Sequence, residues 1–108
     1  MGKSETGYLT MIMWRCREMV SVEVWSHNDS VRLELRTVAT FKYALEHLEA
    51  IKDEIEDIVE VRGCIGHFFK VYTGDRHYNF KFTDKQIESV KGYLIELNGG
   101  KLKERYVR

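Results

Sequence analysis

Val20-Ser21-Val22-Glu23-Val24-Trp25 and Val31-Arg32-Leu33-Glu34-Leu35-Arg36 decide the fold class. In both runs apolar residues alternate with others, and a period of two marks a strand with one face buried. The segment between them, Ser26-His27-Asn28-Asp29-Ser30, is a turn by composition, because Asn and Asp tolerate left-handed backbone and bond their own main chain. The two runs therefore form a β-hairpin. Its valines and leucines belong to a buried row, while Trp25, Arg32 and Arg36 face the other way.

Downstream the period changes. Thr37 is positioned as a helix N-cap, and Phe41, Ala44, Leu45, Leu48, Ile51 and Ile55 follow at steps of three and four. This spacing predicts a helix over 39–56 whose opposite face is acidic (Glu46, Glu49, Asp53, Glu54, Asp57). The pattern then starts again. Residues 58–61 read as a short strand and Arg62-Gly63-Cys64 as a turn. His67, Phe69 and Val71 alternate with Phe68, Lys70 and Tyr72. Thr73-Gly74-Asp75-Arg76 makes a second hairpin turn, with Gly74 available for positive φ. Tyr78, Phe80 and Phe82 alternate with His77, Asn79 and Lys81. Thr83 and Gln86 form the Thr-x-x-Gln capping box of a second helix with the stripe Ile87, Val90, Leu94 and Leu97, and Asn98-Gly99-Gly100 stops it.

Upstream, residues 1–7 are small and polar and read as a loose tail, 8–14 as a strand and 15–18 as its turn. Each half is thus a βββα unit, 8–57 and 58–100. The halves superimpose at a shift of 47 residues through the strands and 46 through the helices, matching Val22 with Phe69, Leu35 with Phe82, Thr37 with Thr83 and Leu48 with Leu94. A unit of about 45 residues is marginal as an independent core. The expected fold is therefore a single α+β domain over 8–100. Two pseudo-repeated units form one mainly antiparallel sheet of about six strands, with both helices on one face. A basic tail, 101–108, follows.

Composition narrows the function classes. The 108 residues are 44% hydrophobic and 31% charged, which is globular. No apolar run approaches the roughly 18 residues of a membrane helix, and no secretory signal is present, so a cytoplasmic setting is expected. Seventeen basic residues balance seventeen acidic ones, which argues against sequence-blind duplex binding. The charge is nonetheless polarised: 39–60 hold two basic residues against seven acidic, and 61–108 hold ten against five.

The face of the sheet away from the helices carries the candidate chemistry: Met13, Arg15, Trp25, Arg32, Arg36, Phe68, Lys70, Tyr72, His77, Asn79 and Lys81. Aromatics interleaved with cations suit unpaired bases, whose faces stack on rings while Arg and Lys follow the phosphates. Trp25, Arg32, Arg36, Phe68, Lys70, Tyr72, His77 and Lys81 are the expected site residues. The preferred reading is a non-enzymatic domain binding single-stranded RNA or DNA as a homodimer. The alternative is a protein–protein adaptor, regulatory subunit or inhibitor, in which the same rings fill an interface.

Other constellations are weaker. Cys64-x-x-His67 with Cys16 is one ligand short of a closed zinc tetrahedron, and His67 falls in the buried row, so no metal or other cofactor is expected. A reducing compartment disfavours a Cys16–Cys64 disulfide. His27, His77, Asp29 and Asp75 beside the hairpin turns could serve acid–base work, and Cys64 with His67 nucleophilic work. No phosphate loop, nucleophile elbow or paired-carboxylate motif accompanies them. A small enzyme with a pocket between the units is thus the second alternative.

Overall fold

A computed structural model describes residues 19–64 and 66–107. The tail at 1–7, the strand read at 8–14 and its turn, including Met13, Arg15 and Cys16, lie outside the described residues. The chain runs β1 (Met19–Ser26), β2 (Arg32–Thr40), α1 (Phe41–Ile51), β3 (Asp57–Gly63), β4 (Gly66–Tyr72), β5 (Arg76–Lys81), α2 (Asp84–Leu97) and β6 (Lys103–Val107). One open sheet of six strands results, in the order β2-β1-β5-β4-β3-β6. Every pairing is antiparallel except that of β3 with β6. The class is α+β, a mixed and mostly antiparallel sheet with two helices.

The alternation read from the sequence sets the register. Val22 lies across from Phe80 and Phe80 from Phe69, while Val24 lies across from Tyr78 and Tyr78 from Val71. Val22, Phe69, Val71, Tyr78 and Phe80 join Ala44, Leu48 and Ile51 of α1 and Ile87, Val90 and Leu94 of α2 in one buried apolar cluster, and half-buried Val24 packs against it. A second, smaller cluster holds Val59, Val61 and Phe68, with Tyr72 against it.

Local chemistry explains most boundaries. The Thr83 side chain accepts from the Gln86 backbone N–H at 3.2 Å and Gln86 Oε1 accepts from the Thr83 N–H at 2.9 Å, the expected capping box. The helix ends at Asn98, followed by Gly99 and Gly100 at φ of 76° and 105°, a conformation other L-residues resist. Asp29 takes φ of 65° in the first hairpin turn, as its residue type allows. Gly74 is not among the positive-φ glycines. Its turn is closed instead by Thr73 N–H donating to the Arg76 carbonyl at 2.9 Å.

Several readings are corrected. The N-cap of α1 is Thr40, whose side chain accepts from the Tyr43 N–H, and not Thr37. Thr37 stays in β2 because Val22 pairs with it, and the β-branched Thr37, Val38 and Thr40 suit a strand. The helix stops at Ile51 and passes through one 3-10 turn, Lys52–Glu54, short of residue 56. The strand at 58–61 extends through Gly63. Leu33 and Leu35, expected in the buried row, are exposed, Leu35 by 53%. Leu35 lies on the edge strand, and a bulge between Val24 and Trp25 sets Leu33 opposite Trp25, on the face away from the main cluster. The segment 101–108 contains β6, so the sixth described strand comes from the C-terminal side of the sequence.

Position 63 must be glycine for β6 to dock: a Cβ there would lie 2.1 Å from the Val107 carbonyl oxygen. Asn98 anchors the entry to β6, its side-chain amide donating to the Lys101 carbonyl at 2.8 Å and the Ile58 carbonyl at 3.3 Å.

Candidate functional site

Register assembles two cross-strand rows on the sheet face away from the main cluster. One runs Leu33, Trp25, His77, Tyr72 over β2, β1, β5 and β4. The other, two residues along, runs Arg36, Glu23, Asn79, Lys70 over the same strands. Side chains directly opposite one another on a face are within contact range, so five of the eight expected site residues (Trp25, Arg36, Lys70, Tyr72, His77) fall in these two rows.

In the ring row Trp25 and His77 are parallel within 6°, with centroids 5.8 Å apart, and Tyr72 lies 5.5 Å beyond His77. His27, from the first hairpin turn, closes the row from outside the ladder. Its ring stands at 88° to that of His77 and its Nε2 is 2.6 Å from His77 Nδ1, one nitrogen donating and the other accepting. The turn is held in place by the His27 N–H donating to the Asp75 carbonyl at 2.9 Å, which joins the two hairpin turns.

Glu23 organises the polar row. Its Oε1 accepts from Trp25 Nε1 at 3.1 Å and from Asn79 Nδ2 at 3.0 Å, and its Oε2 accepts from Arg36 Nε at 3.0 Å. The Asn79 amide, opposed by burial and helped by Trp25 and Arg36, holds this carboxyl below its ordinary value. Asn79 Oδ1 is buried with no hydrogen-bond partner among the described residues, an unpaired acceptor in the middle of the row.

The remaining expected residues are placed less uniformly. Lys81 is exposed and its ammonium lies 5.8 Å from the Phe68 ring centroid, a cation–π contact. Phe68 itself is only 6% exposed and His77 5%, whereas Trp25 and Tyr72 are half-buried. Arg32 does not sit beside Trp25. A bulge shifts the pairing so that Leu33 is opposite Trp25 and Arg32 opposite Ser26, which takes Arg32 out of both rows. Glu23 and His27 are members that the sequence reading left out of the site. The signal for Glu23 was its spacing of two from Trp25, which puts both on one strand face.

Burial, then the charge of Lys70 and the proximity of His27, push His77 down to about 4, against a weaker pull from Glu23. The ring is therefore neutral at neutral pH. In the unfolded chain the same group titrates near 6.5, so the unfolded state binds more protons between these values. The resulting stability, about 3 kcal/mol at most, is complete above the unfolded value and is lost as pH falls toward 4. Melting midpoints measured from neutral pH down to 4 should fall in the native protein. They should fall less in His77→Phe, which keeps the ring and loses the proton site.

Elsewhere, Glu60 is 1% exposed on β3 and gathers Arg62, His67 and Lys91. His67 is half-buried and hydrogen-bonded to it at 2.6 Å. Cys64 is an exposed free thiol. Among the described residues no three His, Cys, Asp or Glu side chains converge as metal ligands, and no helix is long and apolar enough to cross a membrane. No protein-family model matches this chain, and no curated protein or solved structure matches it.

Proposed function

We propose that the protein is a non-enzymatic binding domain that holds single-stranded RNA or DNA on the β1-β5-β4 face, as a homodimer in a cytoplasmic setting. The observation that carries the reading is the ring row: Trp25 stacked parallel to a neutral His77, with Tyr72 next in line and Arg36, Lys70 and Lys81 around it. Bases stack on Trp25 and Tyr72, the two half-buried rings, while buried His77 and Phe68 support them from within. The cations follow the phosphates. The balanced total charge favours a strand held by stacking over a duplex held by phosphate contacts alone. The architecture that belongs to this reading is a pair of related units with both helices on the far face, and the single cluster shared by α1 and α2 supports it.

Titration of a short fluorescein-labelled oligouridylate or oligothymidylate, read by anisotropy at several salt concentrations, tests the proposal. Trp25→Ala and Tyr72→Ala should each weaken binding about tenfold, in keeping with about 1–3 kcal/mol per stacked base, with the melting temperature nearly unchanged. Lys70→Ala and Lys81→Ala should instead flatten the salt dependence, because fewer counterions are released. No binding at any salt would overturn the proposal, and aromatic variants that dissociate a dimer instead would establish the adaptor reading.

A further inference from the structure

On the opposite face of the same hairpin, a cavity of about 540 Å³ opens between β1, β2 and α1. Its walls are Val22, Val24, Leu35, Tyr43, His47 and Phe80. Two small residues, Ala39 on β2 and Ala44 on α1, are among its lining. Among the described residues no carboxylate, cysteine, lysine or arginine lines it. One polar ring does: His47 packs edge-on to Tyr78 at 5.2 Å and tilted to Phe80 at 6.4 Å, and its nitrogens have no hydrogen-bond partner among the described residues. Burial lowers its proton affinity, so at neutral pH the half-buried ring offers one N–H and one lone pair, neither bonded within the described residues.

The mouth of this cavity carries the most exposed large apolar side chains near it, Leu35 at 53%, Val38 at 59% and Tyr43 at 61%. Scattered apolar exposure is ordinary, but a group around one concave opening marks a binding site. Pairing of another strand along β2 is a poorer explanation. That edge carries a bulge beside Glu34 and the charges of Arg32, Glu34 and Arg36, the devices that keep sheet edges from pairing. The volume lies in the range of small-molecule sites, which are apolar with a few polar groups to orient the ligand.

We propose that this cavity binds an uncharged amphiphile, an apolar body buried among Val22, Val24 and Phe80 with a single hydroxyl or carbonyl hydrogen-bonded to His47. The site is separate from the ring row, and its test needs no nucleic acid. The probe is N-phenyl-1-naphthylamine, uncharged and fluorescent only in apolar surroundings, with 1-decanol as competitor. Native protein should show saturable one-to-one probe binding that decanol displaces. Ala39→Leu and Ala44→Leu, which fill the cavity from opposite walls, should each weaken probe binding at least tenfold in a protein whose melting temperature is unchanged or raised. His47→Phe should keep the probe and weaken decanol by about tenfold, the signature of a lost hydrogen bond with the apolar walls intact. Three outcomes would overturn the proposal: no saturable probe binding, undiminished binding in both filled variants, or probe binding only to a Leu35→Asp form that has lost a dimer. The last would assign the opening to a second copy of the chain.

Discussion

Replacing Arg62 and Lys91 together by alanine is expected to cost about 3 kcal/mol, more than Glu60→Gln at about 1–2 kcal/mol. The asymmetry follows from which partner is buried. Glu60 is 1% exposed, whereas the side chains of Arg62 and Lys91 are 41% and 38% exposed. A cation that loses the carboxylate is partly rehydrated, but a carboxylate that loses both cations stays dry with only His67 beside it. Burial raises the proton affinity of Glu60, and Arg62, His67 and Lys91 together outweigh that effect and leave it below the ordinary value. In the native protein its contribution is therefore present above the unfolded carboxyl value and is lost as pH falls. With both cations gone burial dominates, the folded carboxyl takes up its proton more readily than the unfolded one, and the variant regains stability on acidification. Urea unfolding at neutral pH and near pH 4 should thus show the gap between the two proteins closing. A gap that stays constant with pH would refute the role given to Glu60.

Leu48→Ala and Leu94→Ala should each lower stability by about 2–5 kcal/mol, since both side chains are fully buried and alanine leaves a cavity as well as losing transfer energy. The double variant is the more informative measurement. Residues whose cavities share neighbours interact by about 0.5 kcal/mol or more, whereas distant ones add within less than that. Non-additivity is expected if α1 and α2 cover one face of the sheet, as proposed. Strict additivity would speak for two separate packing sites and against the paired-unit architecture.

How far these features could be read beforehand varies by element, and for physical reasons. β1, β4 and β5 are legible because one side of each contributes to the main buried cluster, so apolar residues at every second position are imposed by packing. The α2 boundaries are legible because Thr83, Gln86 and the Gly99-Gly100 stop act locally, within a turn. The start of α1 is not, because Thr37 and Thr40 are chemically equal caps. Only the pairing of Val20 with Ala39 and Met19 with Thr40, residues far apart in sequence, decides between them. β6 is invisible for a stronger reason: all five of its residues are exposed, so no side-chain pattern records a strand held by backbone bonds to β3. In the site, Trp25, His77 and Tyr72 follow from alternation alone. The displacement of Arg32 does not, since a one-residue bulge leaves no mark in the alternation of β2. Glu60 could have been suspected, as a lone acid inside the apolar run Ile58-Val59-Glu60-Val61.

The parallel pairing of β6 with β3 also orders events during synthesis. Among the described residues every other strand pair is made between segments that precede α2, whereas the outer neighbour of β3 is made only after Gly99 and Gly100 have left the ribosome. Until then a strand carrying Val59 and Val61 keeps an unpaired edge on the nascent chain, open to capture by chaperones or by another copy being translated on the same message.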